Sequence, residues 1–165
     1  YECYYWWEKQ LKTFNYHRIG IVFYRKQDDS NGWQFLETAD SDVSSWSIWG
    51  AASTITNAVN TEIGSGLENS IVIQSFSGSS STAANLCLTY SQNGFDDWFL
   101  PSRDELITMH QNLQGIINFS TSNYWSSSED SNFSQNAWSL YLDLNSNAIT
   151  NNKEMLYRVR PIRRF

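Results

Sequence analysis

The chain has 165 residues, and 17 Asp and Glu against 11 Lys and Arg give it a formal net charge of −6. This length fits one domain that buries roughly 70% of its unfolded surface without disulfides or metal, and the acidic balance argues against nucleic-acid binding. No apolar run approaches the roughly 20 residues that a membrane helix needs, so we expect no membrane insertion. Aromatic residues, Ser and Asn are abundant, which is typical both of binding loops and of an ordinary turn-rich surface.

The first part of the chain, residues 1–17, is rich in aromatic residues and contains no helix breaker. We interpret it as a packed lead-in or as the connection to an upstream part of a longer polypeptide, and we assign residues 18–165 to one domain. The chain has two cysteines, Cys3 and Cys87. Cys87 lies in an apolar helical stretch, where a thiol usually behaves as a small hydrophobic side chain. The sequence therefore leaves their pairing open.

The first regular elements are indicated by a hairpin pattern. Residues 19–24 form an apolar, β-branched run that is typical of a buried strand. Residues 28–32 end in Asn-Gly, the strongest short-range signal for a hairpin turn. A return strand over residues 33–37 then places Trp33 and Phe35 on one face.

The middle of the chain alternates predicted loops and short helices. Residues 38–52 are predicted as loop, and residues 54–63 as a helix because apolar residues recur there at a spacing of four. Residues 67–74 are apolar enough for helix or strand. A flexible link over 78–81 precedes a second short helix, predicted over residues 82–91.

The strongest local signal is a helix start at Ser102. Ser102 and Glu105 form a capping box, in which each side chain bonds the other residue's backbone N–H. The apolar stripe of Leu106, Met109 and Leu113 follows, and Gly115 ends the helix. We expect this helix to cover the large apolar side chains just before it, which are Phe95, Trp98, Phe99 and Leu100.

Beyond Gly115 the chain becomes rich in Ser and Asn. Within residues 137–144, apolar Trp138, Leu140, Leu142 and Leu144 alternate with Ser139, Tyr141 and Asp143, which predicts a half-buried strand. Residues 145–156 are predicted as a polar loop and residues 157–165 as a terminal strand. Because Pro161 cannot donate a ladder hydrogen bond, this strand lies at a sheet edge or contains a bulge there. The arginines of that strand indicate a solvated or ion-paired edge. The fold class is therefore α+β, with short helices packed on a small antiparallel sheet with long loops.

Five ordered motifs resemble a known family. The chain is similar to the bacterial and phage family of Lcl C-terminal-like domains, which have a C-type lectin-like fold related to that of formylglycine-generating enzymes. The resemblance covers residues 18–165, and the motifs that carry it are residues 19–24, 93–106, 124–129, 137–138 and 157–163. It implies a ligand-binding module at the tip of a bacterial surface protein, a secreted adhesin or a phage tail protein. Ala51 and Ser75 stand where relatives often carry Cys.

Some members of this fold group are variable proteins of diversity-generating retroelements, whose substitutions scatter over surface positions near the C-terminus. The Asn-rich stretch 130–156 resembles that pattern, since unrelated residues interrupt it at Phe133, Tyr141, Ile149, Met155 and Leu156. An ordinary loop composition gives a similar picture. The resemblance thus leaves retroelement diversification as one of two interpretations.

Chemical motifs are sparse. The proline-containing calcium loop and the Trp-Asn-Asp strand of sugar-binding C-type lectins are absent, and the acidic pairs Asp28/Asp29, Asp40/Asp42, Asp96/Asp97 and Glu129/Asp130 lack EF-hand spacing. No Cys follows Cys87, whereas the related formylglycine-generating enzymes need paired cysteines late in the chain. His17 and His110 are isolated. We therefore expect no metal, no cofactor and no enzyme activity, although a spatial pair of glycosidase carboxylates has no sequence signature.

These observations predict a non-enzymatic module that recognises a cell-surface protein or glycan through outward positions of residues 130–156. Trp98, Trp125 and Trp138 are assigned to the scaffold, and Phe133 and Tyr141 to aromatic anchors. The alternatives are a structural or oligomerisation domain, with homo-oligomers at a fibre tip, and a carbohydrate-binding domain of fixed specificity. The predicted contact residues are Asp130, Asn132, Phe133, Ser139, Tyr141, Asp143, Asn145, Asn147, Glu154 and Met155.

Overall fold

The computed structural model describes residues 20–50, 54–77, 81–143 and 146–165. The predicted lead-in over residues 1–17, with Cys3 and His17, lies outside this part of the chain, as do residues 78–80 of the predicted link. The described residues form three helices, α1 (Gly66–Phe76), α2 (Ala83–Leu88) and α3 (Arg103–Leu113). They also form eight strands: β1 (Ile21–Arg25), β2 (Phe35–Thr38), β3 (Ser44–Ser47), β4 (Asn123–Glu129), β5 (Asn136–Tyr141), β6 (Ala148–Asn152), β7 (Tyr157–Val159) and β8 (Ile162–Arg164).

The strands form two sheets, which confirms the α+β class. One sheet has the order β1-β2-β8 and the other the order β3-β7-β4-β5-β6. The hairpin predicted around residues 28–32 is present, because β1 and β2 pair antiparallel. Its turn holds Asn31 at φ 73° and Gly32 at φ 76°, a conformation that Asn and Gly adopt most readily.

Helix α3 begins as the capping box predicts. Ser102 Oγ accepts from Glu105 N, and Ser102 N donates to Glu105 Oε2 at 2.7 Å. Leu106, Met109 and Leu113 are buried in a core cluster that also contains Tyr124 and Leu140. The helix thus packs on one face of the β4–β5 pair.

The opposite face of β4 is buried as well. Trp125, next to Tyr124 in the strand, belongs to a second core cluster with Trp49, Ile73 and Cys87, because neighbouring strand residues point to opposite faces. Cys87 is fully buried and has no disulfide partner among the described residues. The β4–β5 pair is therefore the middle layer of the domain, covered on both sides.

The carboxylate of Glu105 links α3 to the loop before α1. Gly64 N donates to its Oε1 at 2.9 Å, and a Cβ on Gly66 would lie 2.2 Å from its Oε2, so only glycine fits there. The described residues supply no ion pair to this fully buried group. Burial therefore raises the pKa of Glu105 to about 7.

The predicted helix over residues 54–63 is wrong: these residues have no regular secondary structure. Two of their backbone N–H groups, those of Thr56 and Asn57, bond the Glu129 carboxylate at 3.0 Å and 2.8 Å. Asn57 also takes a positive φ of 63°, which a helix does not allow. Long-range hydrogen bonds here override the local apolar spacing.

Three other expectations need correction. β3 lies within the predicted loop 38–52, and β6 within the predicted loop 145–156. The terminal strand is two strands in different sheets, β7 before Pro161 and β8 after it. The region 67–74 is helical, as one of its two interpretations held, and the helix predicted over 82–91 is shorter than expected.

The C-terminal arginines form ion pairs, as the sequence suggested for this edge. Arg158 and Arg160 both bond Asp42, at 3.0 Å and 2.6 Å. Arg163 bonds Asp97 at 2.7 Å and Glu37 at 2.9 Å. These bonds tie the last two strands to β2 and to the loops beside them.

Candidate binding surface

The outermost strand pair of the five-stranded sheet, β5–β6, begins the candidate surface. The two strands pair antiparallel, with Ser139 opposite Ile149 and Ala137 opposite Asn151. Directly opposed residues share a face, so Ile149 and Tyr141 lie on the face of Trp125. Tyr141 and Ile149 are 40% and 48% exposed. The sheet thus presents two large apolar side chains to solvent at its edge.

A crossing segment, residues 153–156, extends this surface. It leads from β6 at the sheet edge to β7, which lies beyond β5 and β4, and two contacts place it on the Trp125 face. Lys153 Nζ is 4.6 Å from the centroid of the Trp49 ring, and the Tyr157 ring is 4.6 Å from that of Trp125. Within the segment Glu154, Met155 and Leu156 are exposed.

Lys153 anchors the crossing segment from below. Its side chain is fully buried and forms an ion pair with Glu129, itself 1% exposed. Lys153 Nζ also donates to Thr54 O at 3.0 Å, and Trp49 N donates to Lys153 O at 2.9 Å. A buried charge pair needs further polar contacts to offset its lost hydration, and Thr54 O and the face of the Trp49 ring supply them to the Lys153 ammonium.

The ion pair of Lys153 and Glu129 was not predicted, since Glu129/Asp130 was considered only as an acidic pair that lacks EF-hand spacing. One signal was available: Lys153 is the only basic residue between positions 130 and 156. A lone cation in such a stretch is a candidate for a buried acidic partner.

Seven of the ten predicted contact residues are exposed. They are Asn132, Phe133, Tyr141, Asp143, Asn147, Glu154 and Met155. Asn145 lies outside the described residues. Tyr141, Glu154 and Met155 belong to the surface built from β5 and the crossing segment, while Asn132 and Phe133 lie in the β4–β5 connection.

The outward positions predicted for Asp130 and Ser139 are wrong, because both side chains are buried. Asp130 Oδ1 accepts from Asn132 N at 2.9 Å and from Phe133 N at 3.3 Å, so it shapes the turn that exposes Phe133. Ser139 Oγ accepts from Asn151 Nδ2 at 2.9 Å. The prediction failed for Ser139 because β5 is covered on both faces, whereas an alternating pattern indicates only one buried face.

Two exposed large apolar side chains of residues 130–156 were not among the predicted contact residues. Ile149 is 48% exposed and Leu156 is 52% exposed. Both lie in the stretch predicted as polar loop, where the short strand β6 has only two apolar residues to indicate it.

The charges of this region are acidic. Residues 130–156 contain Asp130, Asp143 and Glu154, and their single Lys is neutralised by Glu129. Within the part of the chain that the structure describes, no three His, Cys, Asp or Glu side chains come together in a group that could hold a metal ion. The surface can therefore offer apolar contact, hydrogen bonds and negative charge to a ligand.

No helix of the described residues has both the length and the apolar character required to cross a membrane.

Trp98 and Trp125 are fully buried. The Arg103 guanidinium lies over the Trp138 ring, 5.0 Å from the ring centroid. All three tryptophans therefore serve the scaffold.

Neither the protein-family models nor the curated proteins compared with this chain include a match to it.

Proposed function

We propose that the chain is a non-enzymatic ligand-binding module with a C-type lectin-like fold, displayed on a bacterial surface protein, secreted, or carried on a phage tail. Its recognition surface consists of Tyr141, Ile149, Glu154, Met155 and Leu156, together with Phe133 of the β4–β5 connection, and we call this set the β5–β6 surface. The observation that carries the proposal is the exposure of five large apolar side chains on β5, β6 and the two segments that flank them, the β4–β5 connection and the crossing segment. Exposed apolar patches on otherwise well-packed domains typically mark interaction sites.

The construction beneath this surface supports the proposal. Strand β4 is buried from Tyr124 to Glu129, and its side chains are bonded within the domain, as are Lys153 and Ser139. The exposed side chains are therefore not needed to hold the crossing segment in place. A surface of this kind can vary in sequence without loss of the fold, which is the property that retroelement diversification requires.

Deep sequencing of this gene across its source population tests the diversification. We expect substitutions to cluster at the exposed positions of residues 130–156 and to spare Trp125, Ser139 and Lys153. An even spread of substitutions, or none, would leave a module of fixed specificity for a protein or a glycan.

Binding itself is tested with arrays of glycans and of bacterial surface proteins. The variant Tyr141→Ala/Met155→Ala/Leu156→Ala should fail to bind every glycan or protein of the arrays that the native domain binds. Ile116→Ala is the matched control, because Ile116 is 56% exposed but lies outside the β5–β6 surface. Binding that survives the triple variant would contradict the proposed surface.

One observation favours a second candidate, an assembly module of a fibre. Trp46 is 74% exposed and lies on β3, the other outer strand of the five-stranded sheet. Light scattering at several protein concentrations distinguishes the two functions. An oligomer that Trp46→Ser dissociates would support assembly, and a monomer at all concentrations would exclude it.

A further inference from the structure

Strand β6 has an open hydrogen-bonding edge. It is the last strand in its sheet, and it pairs with β5 at five consecutive positions without a shift in register. Lys153 N donates to Gln135 O at 3.0 Å. Since inward bonds alternate along an antiparallel strand, Ile149 and Asn151 also bond β5, while Ala148, Thr150 and Asn152 direct their N–H groups outward. Among the described residues, none pairs with these groups.

The other outer strands are protected in ways that β6 is not. The register of β1 shifts between Val22 and Tyr24, and that of β3 shifts between Ser44 and Ser47. The outer side of β8 is occupied, because Phe99 and Ile162 exchange two backbone hydrogen bonds of 2.8 Å and 3.0 Å. Strand β6 contains no Pro, no Gly and no charged residue. Bulges, covering segments and charges are the usual protection of an edge strand against pairing, and the described residues provide none of them at β6.

We propose that β6 binds an extended segment of a partner protein as an added sixth strand of the sheet. This inference rests on the proposed function and deepens it, since it names the ligand class as polypeptide. Strand addition takes its affinity from main-chain hydrogen bonds and its specificity from the alternate side chains that contact the receptor. Ala148 and Thr150 supply the outward N–H and C=O groups, and Asn152 supplies an outward N–H, because its carbonyl already accepts from Met155 N at 3.0 Å.

The side chains near the edge specify the chemistry of this segment. Ile149 is exposed in the middle of β6, so every second residue of an added strand would lie beside it on the Trp125 face. Glu154 follows β6 as an exposed carboxylate, and the only basic residue of positions 130–156 is buried against Glu129. The complementary segment is therefore apolar at alternate positions and basic at the end that meets Glu154.

A second copy of this chain fits the edge less well. Each copy carries a net charge of −6, so self-association through an acidic region is opposed by like charge. A partner segment that carries Lys or Arg is instead attracted to the negative charge near this edge. Charge complementarity therefore favours a different protein as the occupant.

Selection from a random peptide library displayed on phage tests the inference, with the immobilised native domain as bait. We expect enriched peptides that alternate apolar residues and carry Lys or Arg. Replacing Thr150 by Pro removes an outward N–H and no bond to β5, so Thr150→Pro should weaken peptide binding by roughly tenfold or more. Thr150→Val retains the N–H group and should bind within about twofold of the native domain.

A second measurement does not depend on how a variant folds. Synthetic copies of one enriched peptide are methylated at a single backbone nitrogen, one residue at a time. In an added strand only every second N–H faces β6, so we expect loss of binding at alternate positions. Equal effects at neighbouring positions would overturn the inference.

Other outcomes separate this inference from the proposed function. If no peptide is enriched and a glycan binds instead, with loss in the Tyr141/Met155/Leu156 variant, the added strand is excluded and the β5–β6 surface stands. A different result is that methylation at every second backbone nitrogen abolishes peptide binding, while the triple variant binds the peptides as tightly as the native domain. The β6 edge is then the binding site, and the proposed side-chain surface fails. A dimer that Thr150→Pro dissociates would identify a second copy as the occupant and overturn the inference.

Discussion

Strands β4 and β6 lie on either side of β5 in the same sheet, and both are rich in small polar residues, yet they serve opposite purposes. Every residue of β4 from Tyr124 to Glu129 is buried, whereas no residue of β6 is. Ser126 Oγ donates to Trp138 O at 2.8 Å, and Ser128 Oγ donates to Asn60 O at 2.7 Å. Burial, and not polarity, therefore distinguishes the scaffold strand from the surface strand.

The crossing segment repeats this contrast between neighbouring residues. Lys153 is fully buried, while Glu154 and Met155 beside it are exposed. Glu129 at the end of β4 accepts hydrogen bonds from Thr56 and from Lys153, so a single carboxylate ties the scaffold strand to the segment that carries the surface. Removal of that tie should have the largest effect on stability.

Lys153→Met is the strongest test of the contrast. The substitution leaves Glu129 buried without its cation, so we expect a loss of about 3–5 kcal/mol in the free energy of unfolding. Glu154→Ala, at the next and exposed position, should change it by less than about 0.5 kcal/mol. Urea denaturation of both variants measures the difference, and similar values for the two would contradict the burial of the pair.

Glu105 provides a pH-dependent test on the buried side. Its pKa is raised from 4.5 to about 7 because burial removes its hydration, and the described residues supply no cation that would compensate. Since the folded state binds this proton more tightly than the unfolded state, the stabilisation is complete below pH 4.5 and is lost as pH rises through 7. The full change is about 3 kcal/mol.

Urea denaturation at several pH values between 4 and 8 measures this loss. Glu105→Gln should flatten the profile, because an amide does not titrate and still accepts a capping hydrogen bond. Glu62→Gln is the control, since Glu62 is exposed in the same loop and should leave the slope unchanged. A native profile that rises with pH in this range would refute the assigned cause.

A smaller effect is expected for a serine of β4. Ser128 Oγ accepts from Arg103 N at 3.0 Å and donates to Asn60 O, which also accepts from Asn69 Nδ2, so Ser128→Ala removes the partner of Arg103 N and one of the two donors to Asn60 O. We expect a cost of about 1–3 kcal/mol in thermal or urea unfolding. Thr150→Ala on β6 is the matched change at the surface, with an expected cost of less than about 1 kcal/mol. Equal costs would remove the distinction between the two strands.

Local signals predicted the elements that local chemistry determines. The capping box of Ser102 and Glu105 and the Asn31-Gly32 turn are complete within a few residues, so α3 and the β1–β2 hairpin follow from the sequence. The loop 54–64 and the buried side of β5 do not, because residues far away in the chain hold them, as Glu129 holds Thr56 from 73 positions away.

The same reasoning applies to the candidate site. Tyr141 and Met155 were identified because large apolar residues stand out in a polar stretch, and both are exposed. Ser139 was misplaced because its burial depends on the second core cluster, which includes Trp49 and Ile73 from distant segments. A sequence pattern gives the alternation of a strand, but not the number of layers that cover it.

The smallest effect on stability, and the largest on binding, should come from the β5–β6 surface itself. Replacing Tyr141, Ile149, Met155 and Leu156 together by Ser removes apolar side chains that are 40–52% exposed and belong to none of the core clusters, so we expect the free energy of unfolding to change by no more than about 2 kcal/mol. Urea denaturation measures this, and the peptide and glycan screens measure binding by the same protein. A folded quadruple variant that keeps full affinity would move the ligand site elsewhere, whereas one that unfolds would show that these side chains belong to the scaffold, as those of β4 do.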